Sequence, residues 1–79
     1  MDVDGRIEGI QRYSIHGTLY FRAFFAHDDD PDTIRQAQLP FDAIDIDLQP
    51  GDPIRITYVM TTVMEIRKRI AKPSIQAAQ

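Results

Sequence analysis

The chain contains no cysteine, so neither a disulfide framework nor a thiolate zinc site can staple its core, and a cysteine nucleophile is excluded outright. Glycine is scarce as well, four in 79 residues. No Gly-rich phosphate loop, no Gly-x-Ser-x-Gly elbow and no zinc-hydrolase helix is present. Long apolar runs are missing, since no window approaches the ~18 apolar residues of a membrane span. The first five residues, Met1 to Gly5, carry two aspartates where a secretory signal needs a basic start and an apolar stretch. These absences lead to the expectation of a cytoplasmic, non-catalytic protein with no membrane association, stabilised by hydrophobic burial without a metal or cofactor.

What is there suits one small globular domain. The composition is 43% hydrophobic and 27% charged, that of an ordinary folded chain. A chain of this size buries only about 60% of its unfolded surface and supports a single core. The expected domain spans residues 1–72, followed by a frayed tail over 73–79. The net charge is −3, which argues against general affinity for nucleic acid or anionic lipid. Its distribution is lopsided: from Asp28 to Asp52 there are eight acidic residues against one base, Arg35, whereas Arg67, Lys68, Arg69 and Lys72 crowd the C-terminal end. Solvated loops and tails account for both patches.

The patterning is that of strands. Residues from about Val3 to Arg12 read as a first strand whose isoleucines, Ile7 and Ile10, have an odd spacing that a bulge at Gly9 explains. Tyr13 to Gly17 reads as the following turn. The second strand, Thr18 to His27, alternates clearly: Leu19, Phe21, Ala23 and Phe25 on the face expected in the core, Thr18, Tyr20, Arg22, Phe24 and Ala26 on the other. Asp28 to Asp32, with Pro31 inside it, reads as an exposed loop. A weakly alternating edge strand, Thr33 to Leu39, follows. Pro40 ends it, and a short helical turn near 40–44 is expected to push Phe41 and Ile44 against one open end of the sheet.

Pro50-Gly51 reads as a tight turn in which proline presets φ and glycine accepts a positive one. Ile54, Ile56, Tyr58 and Met60 then share a face. Past Thr61-Thr62 the phase changes, with Met64, Ile66, Lys68 and Ile70 on one side, as one long bent strand or two strands meeting at a corner would give. The segment Leu48-Gln49-Pro50-Gly51-Asp52-Pro53-Ile54-Arg55-Ile56 resembles the turn-to-strand step of SH3-like and OB-like small barrels. The expected fold class is therefore all-β, a five-stranded antiparallel barrel of the SH3-like or OB-like kind.

Candidate chemistry is sparse. His27-Asp28-Asp29-Asp30 with Asp32 offers oxygens to a hard cation, but it lacks the alternating ligands, glycine and distal Glu of an EF-hand loop, and it reads as a solvated connection. Acid–base catalysis needs a pocket with two titratable groups pushed apart in pKa, for which a small filled barrel has no room. The outward row Tyr20, Arg22 and Phe24 is more informative. Aromatics with arginine are enriched at protein–protein interface cores, so this row is the expected partner-binding surface, for a protein partner or for a second copy in a homo-oligomer. Intramolecular packing is its bland reading. The alternative function is single-stranded nucleic-acid binding, with bases stacked on the same row and Arg55, Arg67, Lys68 and Arg69 on phosphates. The Glu65 to Ile70 segment also reads as an edge strand protected by charge.

Overall fold

The structure, a computed structural model, describes residues 1–69; Ile70, the last residues of the expected domain and the 73–79 tail lie outside them. It is all-β, with five antiparallel strands in one sheet and a single 3₁₀ turn. The strands are β1 (Asp2–Ile15), β2 (Thr18–His27), β3 (Asp30–Pro40), β4 (Pro53–Val59) and β5 (Thr62–Lys68), and the 3₁₀ turn is Phe41–Ala43. In space the order is β3-β2-β1-β4-β5.

β1 and β2 form the long hairpin that dominates the sheet. The turn between them is only His16-Gly17, at φ 50° and 82°. Positive φ at both central positions is the type I′ signature, the tight turn whose twist matches that of the strands it joins. Tyr13, Ser14 and Ile15 therefore stay extended and pair with Tyr20, Leu19 and Thr18, correcting the expectation that Tyr13 to Gly17 forms the turn. The bulge is where the isoleucine spacing places it: the register shifts between Ile7 and Gly9, leaving Glu8 as the extra residue. On the other side of β1 the turn Gln49 to Asp52 docks at the same point. Gly51 takes φ 97°, the Asp52 amide donates to the Gln49 carbonyl (3.0 Å), and Ile7 exchanges bonds with Asp52 (3.0 Å) and Gly51 (2.7 Å).

Two further connections differ from expectation. β3 starts at Asp30, so Pro31 and Asp32 belong to a strand and only Asp28-Asp29 turns. The strand is tolerable because β3 is an edge, where proline removes no ladder donor and carboxylates face solvent; Arg35 also pairs with Asp30 (3.3 Å). Downstream, β4 and β5 are neither one bent strand nor a corner. They fold back on each other through Met60-Thr61, with Val59 opposite Thr62 and Met60 at φ 58°.

One core lies against the inner face: Ile7, Phe21, Ala23, Phe25, Leu39, Ile44, Leu48, Ile54, Ile56 and Ile66. Each large member contributes about 1.5–3 kcal/mol by burial, and no polar side chain is buried with them among the described residues. Leu19 has the inward parity but stands 36% exposed, because the hairpin tip runs past the core. Ile44, with Leu48, fills the open side as the plug, whereas Phe41 is 52% exposed. Ile44 is extended and bridges Ile66 in parallel. The ladder does not close, and β3 and β5 are its two edges. The Ile44-Asp45 segment straps the β5 edge: the Asp45 amide donates to the Ile66 carbonyl (3.3 Å), and its carboxylate accepts from the Lys68 amide (2.7 Å) and Arg67 (3.0 Å).

Candidate partner-binding face

The outer face of β1, β2 and β3 is set by the hairpin register. Across β2, Tyr20 faces Tyr13 and Pro40, Arg22 faces Gln11 and Gln38, and Phe24 faces Gly9 and Gln36. Pairs directly opposite in a ladder lie on the same face, so these nine positions form one three-strand platform. Tyr13 and Tyr20 stack, with ring centroids 5.9 Å apart and planes inclined by 20°. The Arg22 guanidinium lies 5.4 Å from the Tyr13 centroid, a cation–π distance, and donates to Gln11 Oε1 at 3.4 Å. Phe24 lies over the bulge, where a Cβ on Gly9 would sit 3.7 Å from its Cδ1. All four of Tyr13, Tyr20, Arg22 and Phe24 are half-buried, and the surrounding Gln11, Gln36 and Gln38 are exposed.

The row expected from sequence is thus brought together, and Tyr13 joins it. Reading Tyr13 as a turn residue hid it. The signal that finds it is the dipeptide His16-Gly17: a two-residue hairpin there forces Tyr13 opposite Tyr20.

The basic residues of the nucleic-acid alternative lie elsewhere and are engaged. Arg55 Nε donates to Asp4 Oδ1 (3.2 Å), Arg69 pairs with Asp4 (2.7 Å) and Asp28 (3.7 Å), and Lys68 pairs with Asp52 (3.5 Å) and Asp47 (3.8 Å). Arg67 bonds Asp45, Glu65 (3.1 Å) and the Asp42 carbonyl (2.7 Å). These contacts perturb their members. The Arg55 hydrogen bond holds the Asp4 carboxyl below the ordinary carboxylate value, against the effect of desolvation and with help from Arg69. The Asp45 hydrogen bond raises the Arg67 guanidinium. Half of the acidic run is ion-paired, Asp28 to Arg69 and Asp30 to Arg35. Among the described residues no three metal-ligating side chains converge. His16 is at the hairpin tip and His27 at the far end of β2, so the two histidines do not meet.

Compared with known proteins, the chain matches no family model, no curated protein and no solved structure. Among the described residues no helix is long and apolar enough to cross a membrane.

Proposed function

We propose that this protein is a non-catalytic, cytoplasmic interaction module that docks a protein surface, first of all a second copy of itself, through the Tyr13-Tyr20-Arg22-Phe24 face. The observation that carries this reading is the composition of that platform: three aromatic rings and one guanidinium, half-buried, framed by neutral glutamines. Aromatics and arginine are the residue types that dominate interface hot spots, and the depletion of other charge at the centre is the interface signature. A two-fold contact that set the Arg22 of one copy on the rings of the other would add burial from which a core of this size gains.

The fold behind the face is proposed to be an OB-like barrel. The support is the strand order, in which a long first strand pairs with both β2 and β4 and a short cover joins β3 to β4. Closure would need β3 to meet β5, whose edge Ile44-Asp45 straps. OB-like barrels present ligands to the face of their second and third strands, which is where this platform lies.

That same order, with stacked tyrosines, favours a second reading, single-stranded nucleic-acid binding. The ion-paired state of Arg55, Arg67, Lys68 and Arg69 weighs against it, since phosphate binding draws its strength from cations free to release counterions.

Sedimentation velocity over a concentration series, with Tyr20→Ala beside the parent and a labelled oligonucleotide at low salt as a third arm, separates the readings. A concentration-dependent dimer that Tyr20→Ala dissociates is the expected result. A parent that stays monomeric and binds the oligonucleotide replaces the first reading by the second.

A further inference from the structure

β1 is an interior strand only as far as Ile7. Its pairing with β4 runs from Asp2 to Arg6, and Ile7 ends that side by bonding Asp52 and Gly51. From Gly9 to Ile15 it pairs with β2 alone among the described residues. The tight turn decides which backbone groups this leaves bare. Ile15 and Thr18 flank the two-residue loop and are hydrogen-bonded to each other. Such pairs alternate along an antiparallel ladder, so Tyr13 and Gln11 also turn their N–H and C=O groups to β2. Ile10, Arg12 and Ser14 turn theirs the other way, as Ile7 does.

Proline, charge and a covering segment are the usual protections of a free edge. β3 carries Pro31, Asp32 and Arg35, and the β5 edge is strapped by Asp45, which accepts from the Lys68 amide. Between Ile10 and Ile15 there is no proline, lysine or carboxylate. The one charge there, Arg12, is turned over the inner face, 5.8 Å from the Phe21 centroid, with Nη2 donating to the Ile46 carbonyl at 3.5 Å. The overhang is a bare template for one more strand.

We infer that this strand is the same segment of a second copy, antiparallel, with the two-fold axis at Tyr13. The residue in the middle of the bare edge is an aromatic whose favoured cross-strand neighbour is another aromatic, and an isologous contact supplies it without a second protein. The register follows by elimination. An axis at Arg12 sets Arg12 opposite Arg12 of the other copy, a like-charge pair. An axis at Gln11 sets Ile15 opposite the other copy's Ile7, where the Gln49 to Asp52 turn is docked. At Tyr13 neither conflict arises: Ile15 stops opposite Gln11, and Arg12 and Ser14 exchange backbone bonds with Ser14 and Arg12 of the other copy. Tyr13 then meets Tyr13 at a non-hydrogen-bonded position, where cross-strand side chains are closest. Each Tyr13 is stacked on its own Tyr20 (5.9 Å), so the rings of both copies form one row across a continuous sheet. This inference rests on the self-association reading above and places that contact at the β1 border of the platform.

The test is amide hydrogen exchange of the full chain over a concentration series, run beside sedimentation velocity. The expected result is that the Arg12 and Ser14 amides slow by about tenfold or more as the dimer fills, since only the free edge exchanges. Ser14→Pro removes an edge-facing N–H and no bond to β2, so it should abolish the dimer and keep a cooperative melt. The register is read with cysteine, which the chain otherwise lacks. Gln11→Cys and Ile15→Cys, both at exposed positions, should cross-link on oxidation when mixed and not singly, and this arm decides should the proline variant fail to fold. A monomer at every concentration overturns the inference together with the reading it rests on. A dimer whose Arg12 and Ser14 amides stay fast, or whose mixed cysteine variants fail to cross-link, overturns the inference alone. So does protection already full at the lowest concentration, which would put a segment of the same chain on the edge.

Discussion

At the residue scale, two glycines of β1 illustrate how neighbours decide what a position tolerates. At Gly5, buried in the sheet, an added Cβ would collide with the Ala26 carbonyl oxygen and press on Ile56 Cδ1. A backbone atom cannot swing aside, so the strands must part. Gly5→Ala should destabilise the fold by roughly 1–3 kcal/mol, in the range of core overpacking. Gly9 has neither a positive φ nor a close neighbour, only ordinary contact with Phe24. Gly9→Ala should therefore be neutral or add about 0.4–1 kcal/mol by restricting the unfolded chain. Urea denaturation of the two variants checks both signs; a destabilised Gly9→Ala would mean that the bulge needs glycine after all. Tyr13 and Tyr20 form the other instructive pair. Their stack is worth about 0.5–1.5 kcal/mol, so a double-mutant cycle with phenylalanine and alanine should show coupling of that order in the isolated protein.

At the element scale, the alternation in β2 and β4 was legible because one face of each strand is buried and the other is more open, although Ala26, given to the outer face, is buried as well. Phe21, Ala23, Phe25, Ile54 and Ile56 all lie where parity puts them. Parity, however, says which way a side chain points and not what meets it there. Leu19 and Phe41 carry inward-looking patterns into places the core does not reach. The acidic stretch misled for a related reason: like charges argue against a central strand, but β3 is an edge, with solvent on the side where charge and proline are harmless. The hairpin between β4 and β5 was hidden because Met60 holds a positive φ that its residue type does not advertise. Tertiary contacts such as the Asp45 strap leave no local trace. Asp45→Ala removes acceptors from the Lys68 amide and Arg67 at once, and its carboxylate is about one-third exposed. A loss of about 1–2 kcal/mol is expected after allowing for solvent, together with faster amide hydrogen exchange at Lys68. Exchange unchanged at Lys68 would show that β5 holds its edge unaided.

For the whole molecule, the ion pairs bear on acid stability and on function alike. Asp4 joins β1 to Arg55 on β4 and to Arg69 beyond β5, and its folded pKa lies below its unfolded one. A group shifted that way contributes stability that is full above the unfolded value and disappears as pH falls through the folded one. Thermal unfolding should then show Asp4→Asn melting below the parent at neutral pH, with the gap closing below about pH 4; a gap that persists in acid would assign the effect to packing. The same pairs draw the basic side chains of β4 and β5 toward carboxylates and leave Arg22, among stacked rings, as the charge at the centre of the β1-β2-β3 platform. The absence of cysteine permits the most direct test of that platform as a contact surface. A nitroxide placed at Gln38→Cys, beside Arg22 on β3, is mixed with unlabelled, isotope-enriched parent protein, and paramagnetic broadening is read on the parent's amides. The account predicts broadening that grows with concentration and centres on Tyr13, Tyr20, Arg22 and Phe24. Broadening absent at every concentration, or centred on another face, would contradict it.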